Sequence, residues 1–384
     1  MNARNMAFID ENGVSPRLID MGLLFSAIGL IVIGLLMVAS ASMTIAQEQF
    51  GEPFYFLVKQ SEYLLLGLFL AGIVFRIETK TWEKFSYVLL FLGLLLLVLV
   101  LIPGIGRRIN GSRRWLNLVV VGGQVSELVK FCMIVYFAGY LQRRSKDIKT
   151  GIKGYILPII ILTLVSILLL LEPDFGATVV ILSTVLGLMF LAGGRVKYFL
   201  GMFLMVATAI GLLAISSPYR MARLTAFLNP WENQFGSGYQ LTQSLIAFGQ
   251  GGWFGVGLGD SVQKLFYLPE AYTDFLFAVI AEELGLVGVM AVIGLFELLI
   301  TRAFRIGFSA CKQGQFFSGY MAYGFALCLA MESMINIGVN CGILPTKGLA
   351  LPFISYGGSS LLINCLMLAV LLRVDYENRL RLYR

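Results

Sequence analysis

Asp274 is the residue with the clearest potential for chemistry, because it lies where a polar segment meets a long apolar run. An aspartate in this place could cap a helix by accepting hydrogen bonds from its free N–H groups. It could also act as a general base, since a carboxylate at the edge of an apolar layer can meet an aqueous hydroxyl group. The two roles are compatible, and Asp274 is the candidate catalytic base.

Two further acidic residues, Glu282 and Glu283, follow Asp274 by eight and nine residues. A helical rise of about 1.5 Å per residue would place them roughly 12–14 Å deeper in the apolar run. Ionisable groups at such depth in a membrane face the protein interior or a polar cavity. The sequence leaves two interpretations open: a structural pair with a buried base or backbone, or a group that binds a substrate.

Other polar groups interrupt apolar stretches at helical spacing. Glu127 and Lys130 are three residues apart and share a helix face, so they could neutralise each other or bind a substrate. Glu332, Asn336 and Asn340 are spaced by four. This second pattern predicts a polar stripe that faces inward and makes hydrogen bonds between helices.

Several arginines and lysines fall on segments that we expect outside the membrane. Arginine offers a bidentate fork to phosphate, so these side chains could bind a diphosphate or simply hold lipid headgroups. They are Arg107, Arg108, Arg113, Arg114, Arg220, Arg223, Lys264 and Lys347. The turn Glu172–Gly176 lies on the same side, and its pattern predicts a tight turn with Asp174 as a helix cap.

Composition excludes several classes of chemistry. The chain contains no histidine, so catalysis or metal binding by histidine is excluded. Its five cysteines are odd in number and scattered, which predicts neither a disulfide framework nor a metal site. No GxxxxGK[ST] motif is present, and the glycines of residues 249–259 lack a βαβ context, so no nucleotide is expected. Those glycines instead predict tight backbone turns beside the membrane.

The elements that must position these residues are membrane helices. The 384 residues are 58% hydrophobic and 13% charged, with a mean hydropathy of +0.84, whereas soluble domains average about 25% charged residues. The fold class is therefore an all-α polytopic membrane protein, expected as one integral membrane domain over residues 1–384. Ten transmembrane helices are predicted at about 18–44, 56–75, 84–103, 124–142, 155–171, 174–192, 198–215, 273–301, 316–340 and 356–373. The polar lead before the first run argues for a retained helix rather than a signal peptide.

Charge predicts the orientation of these helices. Most of the 29 lysines and arginines fall on alternate connections, which places both termini in the cytoplasm. The net charge of +7 is explained in the same way, without nucleic acid. A large outer loop then covers residues 216–272, with short surface helices predicted near 220–227 and 239–248. A second interrupted segment, residues 344–360, includes Lys347 and Ser359 and is the candidate second wall of the site.

The chain resembles the SEDS family (shape, elongation, division and sporulation), which includes the FtsW, RodA and SpoVE proteins. Residues 261–270, together with the arginine-rich stretch 218–230, resemble the division branch more than the elongation branch. The resemblance spans nearly the whole chain, and the outer-loop segment is highly specific. The segments that carry it are GSRRWL (111–116), SELVK (126–130), EPDFG (172–176), residues 218–288, and NIGVNCGILPTKGLALPFISYGGSS (336–360).

The resemblance implies a peptidoglycan glycosyltransferase of the bacterial inner membrane. Such an enzyme polymerises lipid II, a disaccharide peptide on undecaprenyl diphosphate, at the periplasmic face of the division septum. Implied partners are a class B penicillin-binding protein (FtsI-like), other divisome proteins and membrane lipid. The family's essential aspartate falls on Asp274, which would deprotonate the acceptor 4-hydroxyl.

The leaving diphosphate needs cationic partners, and Lys347 is the first candidate, followed by Arg223. A divalent cation, Mg²⁺ or Mn²⁺, could assist, with Asp274 as a possible ligand. The full set of expected substrate-binding residues is Lys347, Arg223, Arg220, Glu283, Glu127, Lys130 and Ser359.

Two positions depart from the family pattern, and two other functions stay open. Val125 replaces a common proline, which puts the start of the fourth span in doubt, and Tyr272 replaces a common histidine, which leaves more of the work to Asp274. A lipid II flippase would also use ten spans with buried charges. A non-catalytic divisome scaffold would tolerate loss of the Asp274 carboxylate.

Overall fold

The computed structural model describes residues 18–109, 112–118, 121–215 and 218–382. Helices dominate it, and one small sheet interrupts them. In chain order the elements are α1 (Met21–Phe50), α2 (Tyr55–Arg76), α3 (Thr79–Lys84), α4 (Ser86–Leu101), β1 (Gly106–Ile109), β2 (Ser112–Leu118), β3 (Val121–Gln124), α5 (Val125–Arg143), α6 (Ser145–Thr150), α7 (Lys153–Leu171), α8 (Phe175–Leu191), α9 (Val196–Ile215), α10 (Pro218–Leu228), α11 (Tyr239–Gly251), α12 (Leu276–Lys312), α13 (Phe316–Asn340) and α14 (Gly358–Leu382).

Each of the ten predicted spans overlaps an apolar helix. Within the described residues, seven helices are long and apolar enough to cross a membrane: α1, α2, α5, α7, α12, α13 and α14. Three shorter apolar helices, Ser86–Leu101, Phe175–Leu191 and Val196–Ala209, fill the remaining predicted positions. The protein is a multi-pass membrane protein, so the predicted fold class is confirmed. The fourth span begins at Val125 without the expected proline.

The outer segment before α5 contains a sheet that we did not predict. Strands β1, β2 and β3 form an antiparallel meander, with Arg107 opposite Trp115 and Leu116 opposite Gly123. The sequence carried a signal for it, because Asn110-Gly111 is a pair favoured in two-residue hairpin turns. The sheet holds Arg114 in the middle of β2.

The long helix α12 consists of two helical pieces separated by a break at Gly285, where φ is 65°. The predicted span at 273–301 was therefore wrong in its bounds and its continuity. A segment of the outer loop supplies the hydrogen bonds that the break removes. The Val256 N–H donates to the Glu282 carbonyl at 2.9 Å. The Leu286 N–H donates to the Gly252 carbonyl at 3.0 Å.

Glycine is required at this crossing because two backbones touch. A Cβ on Gly251 or Gly255 would collide with backbone atoms of the first α12 piece. The prediction of tight turns is confirmed for residues 252–259, where Gly252, Gly255, Gly257 and Gly259 have positive φ, whereas residues 249–251 belong to the end of α11. These turns fix the first piece of α12, Leu276–Leu284, which begins two residues after Asp274.

At the centre of the bundle, α13 packs against α12, α5 and α8. The connection between α13 and α14, residues 341–357, folds back over this core, with Leu351, Phe353 and Ile354 buried. Its backbone is satisfied by protein groups: the Gln60 amide donates to the Ser355 carbonyl at 3.1 Å. This arrangement follows the rule that irregular backbone at membrane depth must be enclosed by protein.

Candidate functional site

Asp274 occupies a turn that α13 fixes in place. The side-chain amides of Asn336 and Asn340 donate to the Asp274 backbone carbonyl at 2.9 and 3.0 Å. The Asn340 side-chain oxygen accepts from the Ala278 N–H in the first turn of α12 at 3.1 Å. The prediction that the polar stripe of α13 forms interhelical hydrogen bonds is confirmed. These amides position Asp274 through its backbone.

The Asp274 carboxylate itself is not used to build the structure. The N-cap of α12 is Phe275, which makes no side-chain cap hydrogen bond, so the capping interpretation of Asp274 is wrong. Among the described residues, no group donates a hydrogen bond to its oxygens. Protein surrounds the side chain closely, yet part of its surface stays open. Asp274 is therefore a carboxylate that is held in place and still available.

Gly348 forms a wall against this carboxylate. A Cβ built on Gly348 would lie 2.7 Å from Asp274 Oδ2, so a side chain at position 348 would contact the acid. Gly176 at the start of α8 packs against the neighbouring Leu349. The structure thus places the interrupted segment 344–360 beside Asp274, where the sequence suggested a second wall. Gly348 itself was missed, because its distance from Asp274 in sequence hides the contact.

Three cations belong to the same region of the outer face. The Arg223 guanidinium donates to the Thr346 carbonyl at 3.4 Å. Lys347 Nζ lies 2.9 Å from the centre of the Phe175 ring. Arg114 donates to the Glu172 carbonyl at 3.2 Å and also to the Pro173 carbonyl. Sequence reasoning included Arg114 among the outer cations without ranking it, whereas the sheet brings it to the site. The Arg220 side chain lies outside the described part of the structure.

Burial raises the pKa of Asp274 to about 7, and the negative charge of Glu270 adds to the effect. The positive charges of Arg114 and Arg223 act in the opposite direction. A carboxylate with a pKa close to neutral pH is suited to general base catalysis, since it can be both deprotonated and basic at that pH. The two arginines also show that positive potential reaches the carboxylate.

Glu172, close to Arg114, is a second unusual carboxyl group, and sequence reasoning missed it. Its side chain is completely buried, and neither oxygen has a hydrogen-bond partner among the described residues. Burial and the neighbouring Asp174 raise its pKa to about 8, and Arg114 opposes the shift. Asp174 itself caps α8 by accepting from the Ala177 N–H at 3.1 Å, which confirms the predicted turn and cap.

Most of the other predicted site residues make structural contacts. Glu283 pairs with Lys264 at 2.7 Å and accepts from Ser40 at 2.7 Å. Glu282 accepts from the Val262 N–H at 2.9 Å and from Ser261. The structural interpretation of the two glutamates is thus the one observed.

A second set of contacts lies between α5, α13 and α14. Lys130 pairs with Glu127 at 2.8 Å and with Glu332 on α13, and all three side chains are buried. Ser359 accepts from the Gln124 N–H at 2.9 Å. Binding of substrate by Glu283, Glu127, Lys130 or Ser359 stays a prediction.

The donor groups around Asp274 do not fit a divalent cation held by the protein. Within the described residues, no three acidic, cysteine or histidine side chains converge on one point. The charges that reach Asp274 come from Glu270 and from two arginines. Mg²⁺ and Mn²⁺ take oxygen ligands, and arginine supplies none. We therefore derive no step through a metal ion.

Comparison with known proteins agrees with this architecture. The family of cell cycle proteins comprising FtsW, RodA and SpoVE matches residues 21–380. A protein of Legionella pneumophila, named probable peptidoglycan glycosyltransferase FtsW, is 57% identical over 362 residues, covering 94% of this chain and 92% of its own. A protein of Coxiella burnetii with the same name is 57% identical over 358 residues, covering 93% and 96%.

Two solved structures share the fold. A chain from a peptidoglycan synthase complex, described as coordinating polymerization and crosslinking, has a TM-score of 0.78 at 29% identity, covering 94% of this chain and 98% of its own. The rod shape determining protein RodA of Thermus thermophilus has a TM-score of 0.70 at 30% identity, covering 94% and 97%. The chain belongs to the FtsW, RodA and SpoVE family of cell cycle proteins.

Proposed function

We propose that this protein is a peptidoglycan glycosyltransferase that polymerises lipid II into glycan strands during cell division. Family membership and relatives that carry this name support the activity. The single observation that supports its chemistry is the state of Asp274. Its carboxylate is fixed through the backbone, accepts no hydrogen bond from a described residue, and is reached by the negative charge of Glu270 and the positive charges of Arg114 and Arg223.

In this proposal, Asp274 removes the proton from the acceptor 4-hydroxyl as that oxygen attacks the donor sugar. A positioned general base typically contributes about 10²–10⁴-fold to the rate. The pKa of about 7 means that a large share of the enzyme carries the deprotonated acid at neutral pH. Holding the donor and the acceptor in line would contribute further.

The departing diphosphate would be stabilised by Arg114, Arg223 and Lys347. Arg114 is the strongest candidate for binding the diphosphate. Two backbone carbonyls anchor its guanidinium, and it makes no ion pair with a described carboxylate. Its positive charge is therefore not neutralised before substrate arrives. The buried Glu172 beside it has a raised pKa and is largely protonated near neutral pH, so it does not cancel that charge.

The remaining predicted residues would act indirectly or through contacts that have not been tested. Glu283 and Lys264 hold the outer loop against α1 and α12. Lys130 joins α5 to α13, which carries the amides that fix Asp274. A divalent cation, if the reaction uses one, would take its ligands mainly from the substrate diphosphate. That part of the proposal rests on the chemistry of diphosphates alone.

The partner and location follow from the family. We infer that the protein works with a class B penicillin-binding transpeptidase and other divisome proteins at the septum. One structural relative belongs to a complex that coordinates polymerization with crosslinking, which supports a transpeptidase partner. The site would face the periplasm and both termini the cytoplasm of a bacterial inner membrane, in agreement with the charge pattern.

The decisive experiment is lipid II polymerisation by the purified Asp274→Asn variant in complex with its transpeptidase. We expect a loss of about 10²–10⁴-fold in rate with unchanged folding. Asp260→Asn is a matched control, because Asp260 is an exposed aspartate of the same outer loop. Normal glycan synthesis by Asp274→Asn would overturn the proposal. It would leave a scaffold as the alternative, and a flippase assay on the same variant would test transport.

A further inference from the structure

A cavity of 640 Å³ lies at the far end of α13 from the candidate active site. The α13 helix extends from Phe316 at this cavity to Asn340, which bonds to the Asp274 backbone. Its 25 residues correspond to roughly 37 Å of helix. The cavity therefore opens on the opposite face of the bundle, where nothing in the proposed reaction takes place.

The rim of this cavity is basic. Its charged lining residues are Arg143, Arg144, Lys146 and Asp147. Arg144 and Asp147 form an exposed pair at 2.8 Å, which leaves two positive charges uncompensated. Lys146 is exposed and pairs with no described carboxylate.

Arg143 is not paired with a described carboxylate, and the two groups that contact it are neutral. Its guanidinium donates to the Ser86 hydroxyl at 3.1 Å and lies 4.2 Å from the centre of the Tyr87 ring. These contacts fix the direction of the side chain without cancelling its charge. The cavity rim thus carries one cation that is held in position, Arg143, and one that is exposed, Lys146.

The opposite wall is aromatic and apolar. Phe316 and Tyr320 line the cavity, and Phe316 is 47% exposed. Ile152, the residue before α7, and Ile156 in the first turn of that helix are 58% and 50% exposed. Basic side chains at the rim and apolar side chains beside it would suit a molecule with an anionic head and a hydrocarbon tail.

We propose that this cavity binds an anionic phospholipid through its phosphate group. A basic pocket between membrane helices is a recognised geometry for phosphate headgroups. The volume lies within the range of small-molecule sites, roughly 300–1,000 Å³. Arg143 and Lys146 would contact the phosphate, and the acyl chains would lie along Phe316 and α7. This site is independent of the proposed glycosyltransferase reaction, because it lies on the other face.

The test is direct lipid binding to the full-length protein in a zwitterionic detergent. The probes are short-chain phosphatidylglycerol, phosphatidylcholine of equal chain length, and inorganic phosphate, measured by native mass spectrometry. We expect a clear preference for phosphatidylglycerol over phosphatidylcholine, and no displacement by millimolar inorganic phosphate. Equal retention of the two lipids, or displacement by free phosphate, would overturn the assignment to an anionic lipid.

Two double variants that remove the same charge distinguish a specific lipid site from non-specific attraction of anionic lipid to the basic inner face. The double variant Arg143→Gln with Lys146→Gln removes the two exposed rim cations that are assigned to the phosphate and are not paired with Asp147. At about 1 kcal/mol per cation, phosphatidylglycerol binding should weaken roughly thirtyfold. The control, Lys80→Gln with Arg305→Gln, removes two exposed cations elsewhere on the same face and should change binding less than threefold.

Equal losses in the two double variants would show that only the total charge matters, and the proposed site would be rejected. Thermal unfolding of each variant checks that the protein is folded before binding is compared. All the substituted side chains are exposed, so we expect unfolding temperatures within a few degrees of the wild type.

Discussion

The carboxylates of the outer site and those of the bundle interior differ in what they bind. Lys130, Glu127 and Glu332 are buried and paired with one another across α5 and α13. Asp274 accepts no hydrogen bond from a described residue, although α13 holds its backbone with two amides. Groups that already have partners maintain the fold, and a group that is positioned without a partner is available to a substrate. The number and type of partners thus separate the two roles.

The largest effect in this comparison should come from Lys130→Met. Removing the lysine would leave two buried carboxyl groups without their cation, which typically costs about 3–5 kcal/mol of folding free energy. We expect a large drop in the thermal unfolding temperature, measured in detergent. Lys59→Met is the control, because its pair with Glu62 is exposed and such pairs contribute about 0–1 kcal/mol.

Whether the loss of stability in Lys130→Met comes from unpaired charge can be checked by also removing the charges of Glu127 and Glu332. The triple variant Lys130→Met with Glu127→Gln and Glu332→Gln replaces ions with neutral groups of similar volume. Such a replacement is often neutral or stabilising, so most of the lost stability should return. A triple variant as unstable as Lys130→Met would show that the lysine acts through its packing rather than its charge.

Gly348→Ala tests the outer site, by filling the space beside the Asp274 carboxylate. The new methyl group would lie 2.7 Å from Asp274 Oδ2 and force the carboxylate or the segment 344–360 to move. We expect polymerisation to fall roughly 10–100-fold, because a displacement of about 1 Å in an active site can cost about 10²-fold. The unfolding temperature should change little.

Gly151→Ala is the matched control for that variant, since a Cβ at position 151 would meet no atom within 4 Å. It should keep wild-type activity. If Gly348→Ala were fully active, the wall formed by residues 344–360 would not determine the position of Asp274.

The dependence of rate on pH sharpens the role assigned to Asp274 and its arginines. A base with a pKa of about 7 must lose its proton to work, so the rate should rise from pH 6 to pH 8 and fall about tenfold at pH 6 relative to the plateau. Arg114 lowers the pKa of Asp274, so Arg114→Gln should move the midpoint to higher pH.

Arg114→Gln should also raise the KM for lipid II by about 10–150-fold, since a hydrogen bond to a charged group contributes about 1.5–3 kcal/mol. Arg113→Gln is the control from the same strand, because Arg113 instead donates to the Leu101 carbonyl at 3.4 Å. A shift in KM without a shift in the pH midpoint would separate diphosphate binding from an effect on Asp274.

Much of the fold could be predicted from hydropathy alone, because ten apolar runs of suitable length leave few alternatives for a membrane chain. Asp274 could be singled out because it lies at the edge of such a run. The contacts that decide its role could not be predicted, since Asn336, Gly348 and Arg114 are distant in sequence and meet only through packing. The break at Gly285 was hidden for the same reason, because a separate loop replaces its missing hydrogen bonds.

The smallest effect concerns Glu172, whose carboxyl group is buried like those of the interior but makes no hydrogen bond to a described residue. Burial raises its pKa to about 8 in the folded protein, well above its ordinary value of 4.5. Above pH 4.5, the folded state therefore holds a proton that the unfolded state has released. The contribution of this proton to the free energy of unfolding is fully present below pH 4.5 and is lost as pH rises toward 8. Glu172→Gln removes this titration. The wild type should lose unfolding temperature between pH 5 and pH 8 by a few degrees more than Glu172→Gln, and identical profiles would show that Glu172 has a partner or is ionised in the folded protein.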